Sequence, residues 1–165
     1  MLDVRHGDGT YVRARSETEG VIVRRAALAP LLDVVTVRRG LEVEAARQAA
    51  ERRTEQDLAD LTALSRSPDA GSLDQRVERA VRFHSALVDA SHNPLLSELY
   101  RAMTESIARG IQQATADPEP ADVGTASHED LLAAIAAHDP DAAAATAARH
   151  LAALITQIRE QLQAR

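Results

Sequence analysis

The chain has 165 residues, enough for one domain with its own core, a formal net charge of −6 and no cysteine. These figures exclude a disulfide-stapled fold and a thiolate metal site, and the acidic balance without a dense basic stripe argues against a free-standing nucleic-acid binder. No run of about 18 apolar residues is present and the first residues lack the apolar core of a signal peptide, so no membrane span and a cytoplasmic location are expected.

In chain order, the β-prone runs Leu2-Asp3-Val4 and Thr10-Tyr11-Val12 flank Gly7-Asp8-Gly9, a turn composition that predicts a β-hairpin over residues 1–13. Residues 14–26 are polar and mixed and read as a linker, and a helical domain is expected over 27–165. Its first helix, from about Ala27 to Arg53, carries Leu31, Leu32, Val34, Val35, Val37, Leu41, Ala45 and Ala49 near a 3.6-residue period. Glu42 and Glu44 follow Arg38 and Arg39 closely and are expected to form exposed ion pairs of little worth. Thr54-x-x-Asp57 resembles a capping box and opens a second helix to about Arg66. Ser72 or Asp74 caps a third, which ends near Ser91, and Pro94 opens a fourth, to about Gln113. Ser127-x-x-Asp130 is expected to cap a fifth and Pro140 to open the last. The prediction is an all-α antiparallel bundle of about six helices with a short N-terminal hairpin. Only three aromatics occur, so the core must be built from small aliphatic residues, with Phe83 as a large anchor.

His84, His128 and His150 each fall on the apolar stripe of a different predicted helix. A buried imidazole needs a partner, and the commonest shared partner of clustered imidazoles is a divalent metal. A lone histidine on an apolar face is more often bonded to a carbonyl or carboxylate, and no local HExxH-like signature singles these three out. His6, His92 and His138 lie in turns or at helix ends and read as solvated or capping residues. Three-histidine chemistry leaves a metal hydrolase and a metal-free helical scaffold open as alternatives, although no motif places a general base.

Arg38-Arg39-Gly40-Leu41-Glu42 with Ala45-Ala46 and Ala49-Ala50, then Phe83-His84-x-x-Leu87 with Ala90-Ser91-x-Asn93-x-Leu95-Leu96, then His128-x-x-Leu131 and Arg149-His150-Leu151, form an ordered set. It resembles the FCD effector domain of GntR-type transcription regulators, FadR subfamily, over about residues 28–160. The hairpin is similar to the wing that ends that family's winged helix-turn-helix domain. Its preceding helices, the recognition helix among them, are missing, so DNA binding is expected only through segments absent from this chain, which reads as a fragment, a misplaced start or a truncated gene.

The resemblance implies a metal held by His84, His128 and His150, with zinc expected and nickel or another divalent ion as alternatives. It also implies a homodimer and a small carboxylate effector. The family's aspartate, four residues before the first histidine, is Ala80 here, so the centre loses its anionic ligand. Arg38 is the candidate for pairing with an effector carboxylate, against a cation paired with Glu42; Asn93 is the candidate for bonding an effector hydroxyl, against a helix cap before Pro94.

Overall fold

The computed structural model describes residues 2–5, 9–12, 17–66, 72–115 and 125–163. Strands β1 (Leu2–Arg5) and β2 (Gly9–Val12) pair antiparallel, with Leu2 opposite Val12 and Arg5 opposite Gly9. Of the expected turn at Gly7-Asp8-Gly9, Gly7 and Asp8 lie outside the described residues. The helices are α1 (Glu17–Leu28), α2 (Leu31–Arg52), α3 (Glu55–Arg66), α4 (Leu73–Asp89), α5 (Pro94–Thr115), α6 (Thr125–Ala136) and α7 (Pro140–Gln163). The all-α bundle is as expected, with one helix more. The expected linker at 14–26 is corrected by α1, which packs against α5 and buries Ala26. Its polar composition hid a helix that gains its stability from tertiary contact and not from a long apolar stripe.

Sequence-local chemistry sets the ends of most helices. Pro30 precedes α2, and Pro94 and Pro140 occupy the first positions of α5 and α7, where the missing N–H costs nothing. Thr54 Oγ1 accepts from Asp57 N (3.2 Å) while Asp57 Oδ2 accepts from Thr54 N (2.7 Å), closing the expected box. Ser72, not Asp74, caps α4 in a reciprocal pairing with Gln75. The start of α6 at Thr125 leaves Ser127 inside the helix instead of capping it.

Helix α6 ends in a Schellman turn: Asp139 N donates to Ala134 O (3.0 Å) and His138 N to Ile135 O (3.2 Å). His138 adopts φ 54°, unusual without glycine, and its Nδ1 lies 2.6 Å from Ala50 O on α2. Asp139 Oδ1 then accepts from Ala142 N (2.9 Å) and caps α7. The α6–α7 corner is thus tied both to itself and to α2.

Alanine dominates where α2 and α7 meet in the most extensive helix contact. Ala45, Ala46, Ala49 and Ala50 on α2 and Ala143 and Ala147 on α7 are buried. Small side chains let the two backbones approach closely. One core cluster joins Ala46, Ala49 and Ala50 to Leu61, Phe83, Leu87, Leu131, Ile135 and Ala147; a second gathers Val34, Val77, Val88, Tyr100, Met103 and Ile107. Phe83 is the buried anchor that its rarity predicted.

Leu87→Ala is expected to cost about 2–5 kcal/mol, because a fully enclosed leucine leaves a cavity. Gly40 lies inside α2 with nothing within 4 Å of the place a Cβ would occupy. Gly40→Ala should therefore raise stability by about 0.5–1 kcal/mol. Urea midpoints of the two variants check both signs.

Candidate metal centre

Three helices deliver one imidazole each. His84 sits in the middle of α4, His128 in the first turn of α6 and His150 within α7. Each offers one ring nitrogen, and these atoms all lie within 4.8 Å of one another. Ring centroids are separated by 5.3 Å (His84–His128), 5.7 Å (His84–His150) and 5.3 Å (His128–His150). Phe83 stacks on His128 at 4.1 Å and meets His84 edge-on at 5.4 Å, walling the cluster on one side. His84 is buried; His128 and His150 are half-buried.

The donor set fits a metal. Tetrahedral zinc with nitrogens at about 2.0–2.1 Å places its ligand atoms about 3.4 Å apart, so small χ rotations suffice to close the set. His128 Nε2 is buried with no hydrogen-bond partner, and orphaned atoms of this kind are costly unless something binds them. His150 is not without interactions. Ala80, one turn before His84 on α4, is half-buried and packs on the cluster around Val77 and Tyr100.

Behind His84 lies a buried polar hub that sequence reasoning missed. Glu42, expected in an exposed pair, is 1 % exposed, and Arg38 is 2 % exposed. Glu42 Oε1 accepts from Arg38 Nε (2.5 Å) and from the Tyr100 hydroxyl (2.6 Å), while Oε2 lies 2.9 Å from His84 Nδ1. That last contact is close but lacks the straight approach of an ideal hydrogen bond. Arg38 Nη2 is buried and has no partner. The signal was present: Arg38 and Glu42 lie four apart on the stripe of Val34, Val35, Ala45, Ala46 and Ala49, where an unpaired charge does not belong. Glu44 is exposed as expected, with Gln48 Nε2 (2.6 Å) and not an arginine as its hydrogen-bond donor.

Asn93 is half-buried with its polar atoms engaged. Oδ1 accepts from Leu96 N (3.3 Å) at the start of α5, and Nδ2 donates to Gln48 Oε1 (3.1 Å). These contacts are those of the helix cap weighed against an effector role.

The FCD domain model matches residues 33–153, most of the chain. The chain belongs to the FCD domain family. Over 128 residues it is 31 % identical to the galactonate operon transcriptional repressor of Escherichia coli K12, covering 75 % of this chain and 56 % of that protein. It is 29 % identical over 176 aligned residues to the putative L-lactate dehydrogenase operon regulatory protein of the same organism, covering 96 % of this chain and 66 % of that protein. The chain thus spans between about half and two thirds of these curated relatives, which are transcription regulators and not enzymes. A crystal structure of a GntR-family transcriptional regulator from Pseudomonas syringae pv. tomato shares the fold with a TM-score of 0.66 at 20 % identity, over 98 % of this chain and 64 % of that one. Among the described residues, no helix is long and apolar enough to cross a membrane.

Burial governs the electrostatics of this FCD domain. It pushes the His128 imidazole down to about 2, with help from the neighbouring His84 and His150. His84 is also lowered, by burial and by Arg38, against the pull of Glu42. Burial alone would raise Glu42, but Arg38 and His84 outweigh it and hold the carboxyl well below its ordinary range. Burial and Glu42 together raise the Tyr100 phenol, so it remains a proton donor at neutral pH. His84 and His128 are therefore neutral imidazoles beside an ionised carboxylate, the protonation state a divalent cation requires.

In the metal-free protein the unfolded chain takes up protons below the ordinary imidazole value of 6.5 that the folded His128 refuses. Stability is therefore full above that value and is lost as pH falls. Glu42 acts later, because its contribution is lost only as pH falls through its ordinary value of 4.5. Between pH 7.5 and 5.5 the metal-free protein should lose about 1.4 kcal/mol from His128 alone, with His84 adding to it. Urea titrations at the two pH values measure this, and His128→Asn should flatten the difference.

Proposed function

We propose that this chain is the ligand-sensing, dimerising part of a cytoplasmic GntR-type transcription regulator of the FadR subfamily, with a small organic acid bound at a metal-centred pocket inside the bundle. The observation that carries this reading is the meeting of three imidazoles from α4, α6 and α7 near a buried guanidinium with an unused N–H edge. His84, His128 and His150 would hold the metal, zinc by their chemistry, with nickel or another divalent ion as alternatives. When bound, the metal supplies a Lewis-acidic positive centre with open positions for an acid's oxygens.

The protein's own part is to recognise the acid. Arg38 is fixed through Nε on Glu42, leaving Nη2 to donate to a carboxylate. Phe83 walls the cluster and limits water around it. Asn93, proposed from sequence for an effector hydroxyl, serves as the cap of α5. Regulators named for galactonate and L-lactate operons among the relatives support an acid as the effector class.

Val21, Val37 and Leu95 are large apolar residues left exposed, area that a second copy would cover. The hairpin of β1 and β2 is read as the wing of a winged-helix domain. DNA contact would belong to the rest of that domain, and the acid must favour one dimer geometry to act on it.

Ala80 favours a second reading, a metal-free pocket in a degenerate regulator, because the family's carboxylate ligand is lost there. Metal analysis of protein purified without a histidine tag separates the two: near-stoichiometric metal, lost in His150→Ala, supports the first, and none supports the second. With metal present, at least one hydroxy or sugar acid at about 100 times its Kd should stabilise the protein by about 2.7 kcal/mol in thermal shift, with the gain reduced in Arg38→Met. Ala80→Asp should tighten zinc binding by restoring a carboxylate one turn before His84; unchanged affinity would place position 80 off the centre.

A further inference from the structure

The metal-centred reading gives Glu42 only the task of holding Arg38, yet three polar side chains converge on it. It is a buried carboxylate with Oε1 hydrogen-bonded twice and Oε2 against His84, on a helix that contributes no histidine. Oε1 takes Arg38 Nε at 2.5 Å and the Tyr100 hydroxyl at 2.6 Å. Oε2 faces His84 Nδ1 at 2.9 Å. Resting on that reading, we propose that Glu42 is a positioning residue: it sets the tautomer and orientation of His84 from behind and joins this ring to the anion-binding edge of Arg38.

The argument is one of donors and acceptors. A neutral imidazole has one N–H and one lone pair, and the group facing one nitrogen decides which atom carries the proton. An ionised carboxylate at Nδ1 accepts a hydrogen bond there and cannot donate one. The proton is thereby held on Nδ1, and the Nε2 lone pair is what His84 can give a cation. Carboxylates placed in this way behind ligating histidines fix the ring and raise its basicity.

Arg38 and Tyr100 secure the carboxylate in turn. Two donors on Oε1 and the His84 ring 2.9 Å from Oε2 hold Glu42 in place, and Tyr100 comes from α5, so α2, α4 and α5 meet at this group. A metal ligand and an acid-binding guanidinium then share one carboxylate. An acid drawing on Arg38 alters the hold on Glu42, and the metal polarising His84 alters it from the other side. Direct coordination is not needed for the two sites to sense each other. With alanine at position 80, Glu42 is a carboxylate that lies against His84.

The test uses the chain as it is and two variants. In metal-free wild type, long-range proton–nitrogen NMR should show His84 as the Nδ1–H tautomer, and Glu42→Gln should lose that preference. Zinc affinity, measured by chelator competition, should fall roughly ten- to hundred-fold in Glu42→Gln, the range for removal of such an outer partner. Glu42→Asp keeps the charge beside Arg38 but draws it back by about 1.5 Å, one C–C bond, and should weaken zinc less. It also serves if the glutamine variant fails to fold. An Nε2–H tautomer at His84 in the wild type overturns the proposal whether or not metal binds. Glu42→Gln with the wild-type tautomer, or with zinc affinity within about twofold of wild type, overturns it too. Wild-type protein that shows the expected tautomer yet binds no zinc overturns the metal reading and leaves the tautomer control standing.

Discussion

A carboxylate taken out of water in the middle of a helix bundle is the constraint on which the rest of this structure depends. Moving one ion into a low-dielectric interior costs several kcal/mol after relaxation, and attraction to a partner offsets this only when the geometry is good and the remaining lone pairs are satisfied. Glu42 has Arg38 and Tyr100 hydrogen-bonded to one oxygen and His84 close to the other. The neighbourhood follows from that. Arg38 must stay buried to neutralise it, Tyr100 must reach across from α5, and His84, kept neutral by burial against the pull of Glu42, turns one nitrogen its way. An apolar core of equal volume would be at least as stable, so the hub is better explained by what it holds in place than by stability.

The small-residue core makes this arrangement possible. Alanine faces on α2 and α7 bring those helices together, and His150 rides on α7 toward the rings delivered by α4 and α6. Phe83 anchors one core cluster and Tyr100 the other, while the rest of the packing is fine-grained. Phe83 fills the core and also stacks on His128, so folding and site assembly share a residue. The site is thus built into the bundle and not laid on its surface.

Much of this was legible in the sequence, for definable reasons. The helices that bury stripes of Leu, Val and Ala were visible in their period, and their ends in Thr54, Ser72, Pro94 and Pro140, since capping is decided within a turn of chain. The three histidines were legible because each sits on such a stripe. Helix α1 was not, because its stability comes from α5, which no local pattern reports. Glu42 was misread for the related reason that an i,i+4 Arg–Glu pair looks the same on either face of a helix. Only the phase of the surrounding stripe places it inside, and the hydroxyl that completes its coordination is 58 positions away in sequence.

The corner between α6 and α7 has a mechanical consequence. Locked by its Schellman turn and moored to Ala50 through His138, it is a fixed pivot for a long rod. His150 rides about 15 Å along α7 from that pivot, and the rod runs on to about 36 Å. A sideways pull of about 1 Å on the ring, were α7 to swing rigidly about the pivot, would shift its far end, beyond Ile155 and Ile158 packed near Val35 of α2, by a little over 2 Å. The same lever works in reverse: whatever grips the distal end of α7 has leverage over the spacing of the rings.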